Sequence, residues 1–406
     1  MSIIKRLPIL LPDEKIDPQK WAVIACDQFT TDRDYWMTLD EFVGDSPSTL
    51  RLIFPEIFLK DSDFETRVEK INSTMYKYLN KGVFDEYDGF IMTERSIANG
   101  KKRVGLVLCV DLEEYDFVTF DKQIRPTEET IQNRLPVRIR IRENAPIELP
   151  HILLLIDDKK RSVIEPLYEN RENFTKVYDF DLNMNGGNIK GYHIPFSETI
   201  LQRFQALLDS DLQISKYGKN ANILFAVGDG NHSMATAKKC WEAIKPTLSD
   251  DEKLNHPARY ALVEVVNLYD DAITFEPIHR VIYNFDDNFI NRLSSNLFGD
   301  GTVTLITTNG TRTLPCPMNA DETIKIIQNF LEDEISRNKI CVEYVHDAKQ
   351  VKKNVFDNNG IGIYMPRFEK SRLFDYTVNK GRLPKKAFSI GEESTKKYYM
   401  EAKRIK

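Results

Sequence analysis

The sequence lacks any apolar run near the roughly 20 residues a helix needs to cross a bilayer. Its longest runs, Leu106–Val110 and Ile152–Ile156, are far shorter. Residues 1–8 hold no apolar stretch of signal-peptide length, so a cytoplasmic location is expected. Cysteine is scarce. Cys26, Cys109, Cys240, Cys316 and Cys341 are odd in number and widely spaced, which excludes a disulfide framework and a structural zinc site. There is no excess of positive charge either. The formal net charge of −6 removes the electrostatic case for nucleic acid or an anionic membrane surface as partner. A DNA nuclease fits poorly for the same reason. No Walker-type phosphate loop occurs. Gly186-Gly187-Asn188-Ile189-Lys190-Gly191 lacks the flanking strand and helix of a dinucleotide fingerprint, and reads as a hairpin turn. Internal repeats and low-complexity tracts are absent.

What is present is a globular chain of 406 residues, 41% hydrophobic and 29% charged. That length exceeds one ordinary core. We expect an α+β protein with mixed sheets, divided into a catalytic region at 1–285 and a C-terminal α/β region at 286–406. Buried strands are expected at Trp21–Ala25, Ile152–Ile156, Ile223–Val227 and Tyr260–Val266. Phe90–Thr93 and Val104–Asp111 should pair around a turn at Ala98-Asn99-Gly100. Helices are expected at Arg33–Val43, Phe64–Leu79, Thr127–Arg134, Ser197–Leu208 and from about Ser233 to Ile244. In Val137–Ile141 the arginines Arg138, Arg140 and Arg142 alternate with β-branched residues, which predicts a strand. Lys396 to Lys406 reads as a basic tail.

The most informative segment is Gly228-Asp229-Gly230-Asn231-His232-Ser233, a tight turn between a buried strand and a helix start. Glycine there lets backbone and ligand approach closely. The free N–H groups and dipole of a helix N-terminus favour an anion. Asp229 suits a magnesium ligand or a proton acceptor, and His232 a donor to a phosphoryl oxygen. The structural alternative is an Asx-type turn with a capped helix. Elsewhere, Asp27 and Glu128 are carboxylates near strand ends, suited to a general base or to metal, or simply to capping. Arg125, Arg134 and Arg280 could bind phosphate through the planar guanidinium fork or sit in ion pairs. His279 could bind phosphate or pack in the core. Cys26 has no base nearby and reads as core.

Six separated blocks carry a family resemblance: residues 21–30, 44–51, 124–130, 140–146, 228–233 and 276–280. On them the chain is identified as a member of the family called domain of unknown function 1015. Its Asp229-Gly230-Asn231-His232 segment is also similar to the signature of ParB and sulfiredoxin-like proteins, a fold shared by free-serine kinases. The resemblance implies a ParB/sulfiredoxin-like core and a kinase that phosphorylates free L-serine. ATP or pyrophosphate would be the donor, with Mg²⁺ as cofactor. It implies Asp229, His232, Glu128 and Asp27 as catalytic groups, and Asp229 as the metal ligand. Gly230, Asn231, Ser233, Arg125, Arg134, His279 and Arg280 would bind phosphate or substrate. Arg142 with Glu143, or Arg51 with Ser48, would clamp the amino acid. A homodimer is compatible with it. The kinase pattern, Asp-Gly-His-His-Arg, is broken at Asn231 and at Ser233, where its arginine is missing, so either another cation replaces it or the function differs. A nucleotide-binding regulatory module of ParB type is the competing expectation; it would need no general base.

Overall fold

The structure, a computed structural model, describes residues 2–97, 100–149, 151–337 and 340–406. Ala98 and Asn99 of the expected turn lie outside the described residues. The chain forms two compact units: residues 1–273 with 393–406, and residues 274–392. The division therefore falls before residue 285, and the basic tail returns to the first unit. Among the described residues, no helix is long and apolar enough to cross a membrane.

The first unit is built on a ten-stranded mixed sheet. The strand Phe225–Asp229 runs parallel to Ile124–Pro126 on one side and antiparallel to Leu153–Ile156 on the other. Tyr260–Asn267 follows, parallel to Leu153–Ile156, and then pairs antiparallel with Lys102–Asp111. Phe84–Ser96, Asn188–Pro195 and Thr175–Asp181 complete the order. Successive side chains on these strands enter opposite cores. Phe90, Met92, Leu106, Leu108, Val263 and Val265 pack with Met234 and Trp241 of the helix Asn231–Ile244. Ile91, Val107, Cys109 and Leu262 pack with Trp21, Trp36 and Tyr399. Burial on both faces explains why the central strands read as continuous apolar runs.

Two expectations are corrected. Val137–Ile141 is no strand but part of the helix Leu135–Arg142, which has Pro136 in its first turn. Helical spacing turns Arg138 and Arg142 toward Glu56 and Glu148, while Arg140 reaches Glu65 and Glu143. These pairings override the period-two pattern. The helix expected at Thr127–Arg134 shrinks to one 3₁₀ turn, Gln132–Arg134. Thr127 Oγ1 donates to Val227 O at 2.6 Å and Ile131 N to His232 Nε2 at 3.2 Å, so this stretch is held open along the sheet edge. Trp21–Ala25 is also shorter than expected: Trp21 closes a helical turn, and only Val23–Ile24 is strand.

The second unit has a five-stranded antiparallel sheet in the order Gly310–Cys316, Gly301–Thr307, Ile361–Tyr364, His279–Tyr283, Cys341–Val345. The helix Ala348–Asn358 packs Val351 and Val355 on Val281, Ile306 and Val345.

The tail is fastened by buried charge. Lys397 Nζ lies 3.0 Å from Glu264 and 3.1 Å from Glu401. Glu264 also accepts from Thr93 Oγ1 at 3.0 Å. Burial alone would raise the Glu264 carboxyl, but Lys397 and Arg103 hold it down at about 2. Breaking one partner of a buried pair leaves an uncompensated charge. Glu264→Ala should cost the first unit about 3–5 kcal/mol. An earlier urea transition would show this; an unchanged midpoint would mean that the pair does not anchor the tail.

Candidate functional site

The strand Phe225–Asp229 ends where Gly230 turns with φ +82°, a conformation that favours glycine. A Cβ there would also meet Ile152 Cα at 3.0 Å. The helix Asn231–Ile244 starts directly after. Its first N–H groups have no intrahelical acceptor, and its dipole is positive at this end. Asp229 precedes them with both carboxylate oxygens engaged. Oδ1 accepts from Gly230 N at 2.9 Å, and Oδ2 pairs with Lys396 Nζ at 2.9 Å.

Ser233, on the first turn, links this end of the helix to His151. Its Oγ is 3.2 Å from His151 Nε2, and Asp27 Oδ2 is 3.5 Å from the same nitrogen. On the other side of the ring, Nδ1 is 2.6 Å from the Tyr399 hydroxyl. That hydroxyl has one proton, which it donates to Cys26 Sγ at 3.1 Å. Burial alone would lower the His151 pKa. The charge and hydrogen bond of Asp27, with Asp229 and Glu56 beyond, raise it above the ordinary histidine value. Burial likewise opposes Asp27, yet His151, Gln28 and Lys396 hold it well below the usual carboxylate range. Both shifts describe one imidazolium–carboxylate pair. Cys26 is no nucleophile here: burial and the charge of Asp27 push its thiol far up.

The fold thus gathers Asp27, Asp229, Gly230, Asn231, His232 and Ser233, and adds Lys396, His151 and Tyr399. Glu128 is half-buried on the open stretch pinned beside Val227 and His232. His232 accepts from Ile131 N, so its Nδ1 carries the ring proton. Arg134 is exposed, and among the described residues no hydrogen bond or ion pair holds its guanidinium.

Other candidates are engaged elsewhere. Arg125 is buried and donates to the carbonyls of Lys122 and Ala221. His279 and Arg280 belong to the second unit. There His279 Nδ1 accepts from Met365 N, and Arg280 is fully buried and donates to Gln328 and to the carbonyls of Ile278 and Lys386. Neither proposed amino-acid clamp is presented as such. Arg51 bonds Asp40 and the Gly44 carbonyl, Ser48 is buried against Trp21 O, Arg142 pairs with Glu148, and Glu143 with Arg140.

Magnesium usually takes one or two carboxylates along with waters and substrate phosphates. Among the described residues, no three His, Cys, Asp or Glu side chains cluster as a metal site. With Lys396 on Asp229, these residues do not fit a protein-held ion.

Beside His151, Ser233 and Tyr399 opens a cavity of about 160 Å³. Its walls come from residues 52–59, Met75, the helix Leu135–Arg142 and residues 145–149.

The sequence model of proteins of unknown function DUF1015 matches residues 10–365. The chain belongs to the DUF1015 family. No curated protein matches this member of it. Among solved structures, a free serine kinase in complex with AMP is similar, at 10% identity and a TM-score of 0.41, over 74% of this chain and 92% of that one. SbnI with a C-terminal truncation, from Staphylococcus aureus, is 9% identical with a TM-score of 0.40, over 74% and 87%. A conserved hypothetical protein from Pyrococcus furiosus is 12% identical with a TM-score of 0.37, over 70% and 89%.

Three residues of this DUF1015 site escaped the sequence reading. His151 stands just before a buried strand, a position that offered a signal. Lys396 and Tyr399 lie in what reads as a solvated tail, and only the aromatic pair Tyr398-Tyr399 within it hints at burial.

The two pKa shifts give a pH prediction with a definite sign. His151, raised in the fold, contributes stability that is full below its unfolded value near 6.5 and lost as pH rises through the folded pKa. Asp27, lowered, contributes stability that is full above about 3.8 and lost as pH falls through its folded pKa. The advantage of wild type over Asp27→Asn should therefore be greatest between these two values. His151 should titrate above 6.5 by NMR and drop in Asp27→Asn; an unchanged midpoint would remove the pair from the account.

Proposed function

We propose that this protein is a phosphotransferase acting on the hydroxyl of free L-serine, with ATP or pyrophosphate as donor, on a ParB/sulfiredoxin-like core. The junction of Asp229, Gly230 and the helix Asn231–Ile244 carries the reading, because it offers helix N–H groups beside a half-buried cation, Lys396. Phosphoryl transfer needs positioning and charge stabilisation more than covalent help.

In this reading the donor phosphates sit on the helix start, against Asn231, His232 and Ser233. Lys396 provides the charge that the arginine of the kinase motif provides elsewhere. His232 donates through Nδ1. Glu128, on its pinned stretch, accepts the proton of the serine hydroxyl. Asp27 and His151 hold Ser233 in place. Five free cysteines suit work in the reducing cytoplasm.

The test is phosphoserine formation from purified protein, L-serine and Mg²⁺, with ATP, ADP and pyrophosphate supplied separately. One donor should give product, and Asp229→Ala and Glu128→Ala should abolish it. Lys396→Met should lower kcat/KM by about 10²–10³-fold, the usual loss of a group facing developing charge. Nucleotide binding without any product would sink the kinase and support a regulatory nucleotide-binding module.

A further inference from the structure

Free serine has a single methylene; everything else on it is polar. The cavity beside His151, Ser233 and Tyr399 has the opposite character. Leu52, Phe54, Leu59, Met75, Ile141 and Ile147 line it. At about 160 Å³ it compares with the roughly 150 Å³ apolar cavity that accepts benzene in an engineered protein. An amino acid as small as serine leaves most of such a wall untouched.

Away from the end formed by His151 and Ser233, the polar groups of the lining are already committed. Glu56 pairs with Arg138, and Arg142 with Glu148. Thr236 Oγ1 donates to His232 O, and Tyr399 serves Cys26 and His151. Among the described atoms of this lining, only Arg142 Nε is buried without a partner. A nucleobase would bring ring nitrogens and an amino group that find few partners there, and burying polar atoms unbonded is unfavourable. A hydrocarbon group loses nothing by the same move.

We infer that this cavity is a binding site for a compact hydrocarbon group, up to the size of a phenyl ring. An alcohol or its phosphate ester carries that group, with its polar end at His151 and Ser233. The inference rests on the phosphotransfer reading only in placing a phosphoryl group at that end. It enlarges the acceptor class from serine to alcohols with an apolar substituent.

Calorimetry on the full chain with benzyl phosphate, methyl phosphate and benzyl alcohol tests it. Benzyl phosphate should bind at least about tenfold tighter than methyl phosphate, in line with the value of small apolar groups in such pockets. Its heat-capacity change should be the more negative. Met75→Trp and the milder Ala145→Leu, which fill the cavity, should each erase the difference between the esters; the wild-type comparison stands without them. Equal affinity of the two esters overturns the inference and leaves the phosphate site intact. Binding of benzyl alcohol but of neither ester supports the cavity and removes the phosphotransfer reading. AMP tighter than ribose 5-phosphate, with no gain for benzyl phosphate, makes the cavity a base slot and overturns the inference. So does failure of every benzyl compound to bind, which makes it a packing void.

Discussion

The last residues of the chain depend on a buried cluster of four charges. Lys397 stands between Glu264 and Glu401, and Arg103 lies 3.9 Å from Glu264, so positive and negative groups meet in the interior. Such a cluster is costly unless its donors and acceptors find partners. Tyr178 donates to Glu401 and Thr93 to Glu264, while Arg103 Nε stays buried without a hydrogen bond. Gly105 leaves the space, since a Cβ there would sit 2.3 Å from Glu264 Oε1. Arg95 and Arg103 then grip the carbonyls of Ser394, Thr395 and Lys396. An apolar plug could bury the tail equally well, but it would not fix its register. Register matters because the neighbours of Lys397 in sequence face different tasks: Lys396 meets Asp229, and Tyr399 meets His151.

From that constraint the site follows. Lys396 and Tyr399 come from the chain end, Asp27 and Cys26 from its beginning, and Asp229 to Ser233 from the middle. Tyr398–Tyr399 pairs with Val23–Ile24, which brings the beginning and the end together before either reaches the helix start. A site assembled from such distant segments exists only in the folded unit. The Asp27–His151 pair in it has no counterpart in the unfolded chain.

This explains what could be read in advance. The strand–turn–helix around Asp229 is local: an apolar run, two glycines and a helix start lie within a few residues, and sterics and dipole follow directly. The helix Arg33–Val43 and the central strands were equally legible, because burial on one or both faces leaves a periodic trace. The Arg138 to Arg142 segment was misread because its alternation is real as sequence, but glutamates from elsewhere decide its geometry. Arg125 and Arg280 look like ligand-binding arginines by residue type, and only their carbonyl partners reveal them as structural. Lys396 was invisible because nothing local distinguishes a lysine paired with a distant aspartate from a solvated one.

The charges of the site bear on how an anion enters it. Where the kinase motif has an arginine, Ser233 brings no charge, so the positive members are Lys396 and His151. Each already faces a carboxylate, Asp229 and Asp27 respectively. With His151 protonated, the four groups sum to zero. A lysine is also a point charge, unable to clamp two phosphate oxygens as a guanidinium fork does. In the phosphotransfer reading proposed above, a polyphosphate would share Lys396 with Asp229 and meet little net attraction beyond the helix N–H groups. In that reading the carboxylate of Asp229, rather than any missing arginine, sets how tightly Lys396 holds a phosphate.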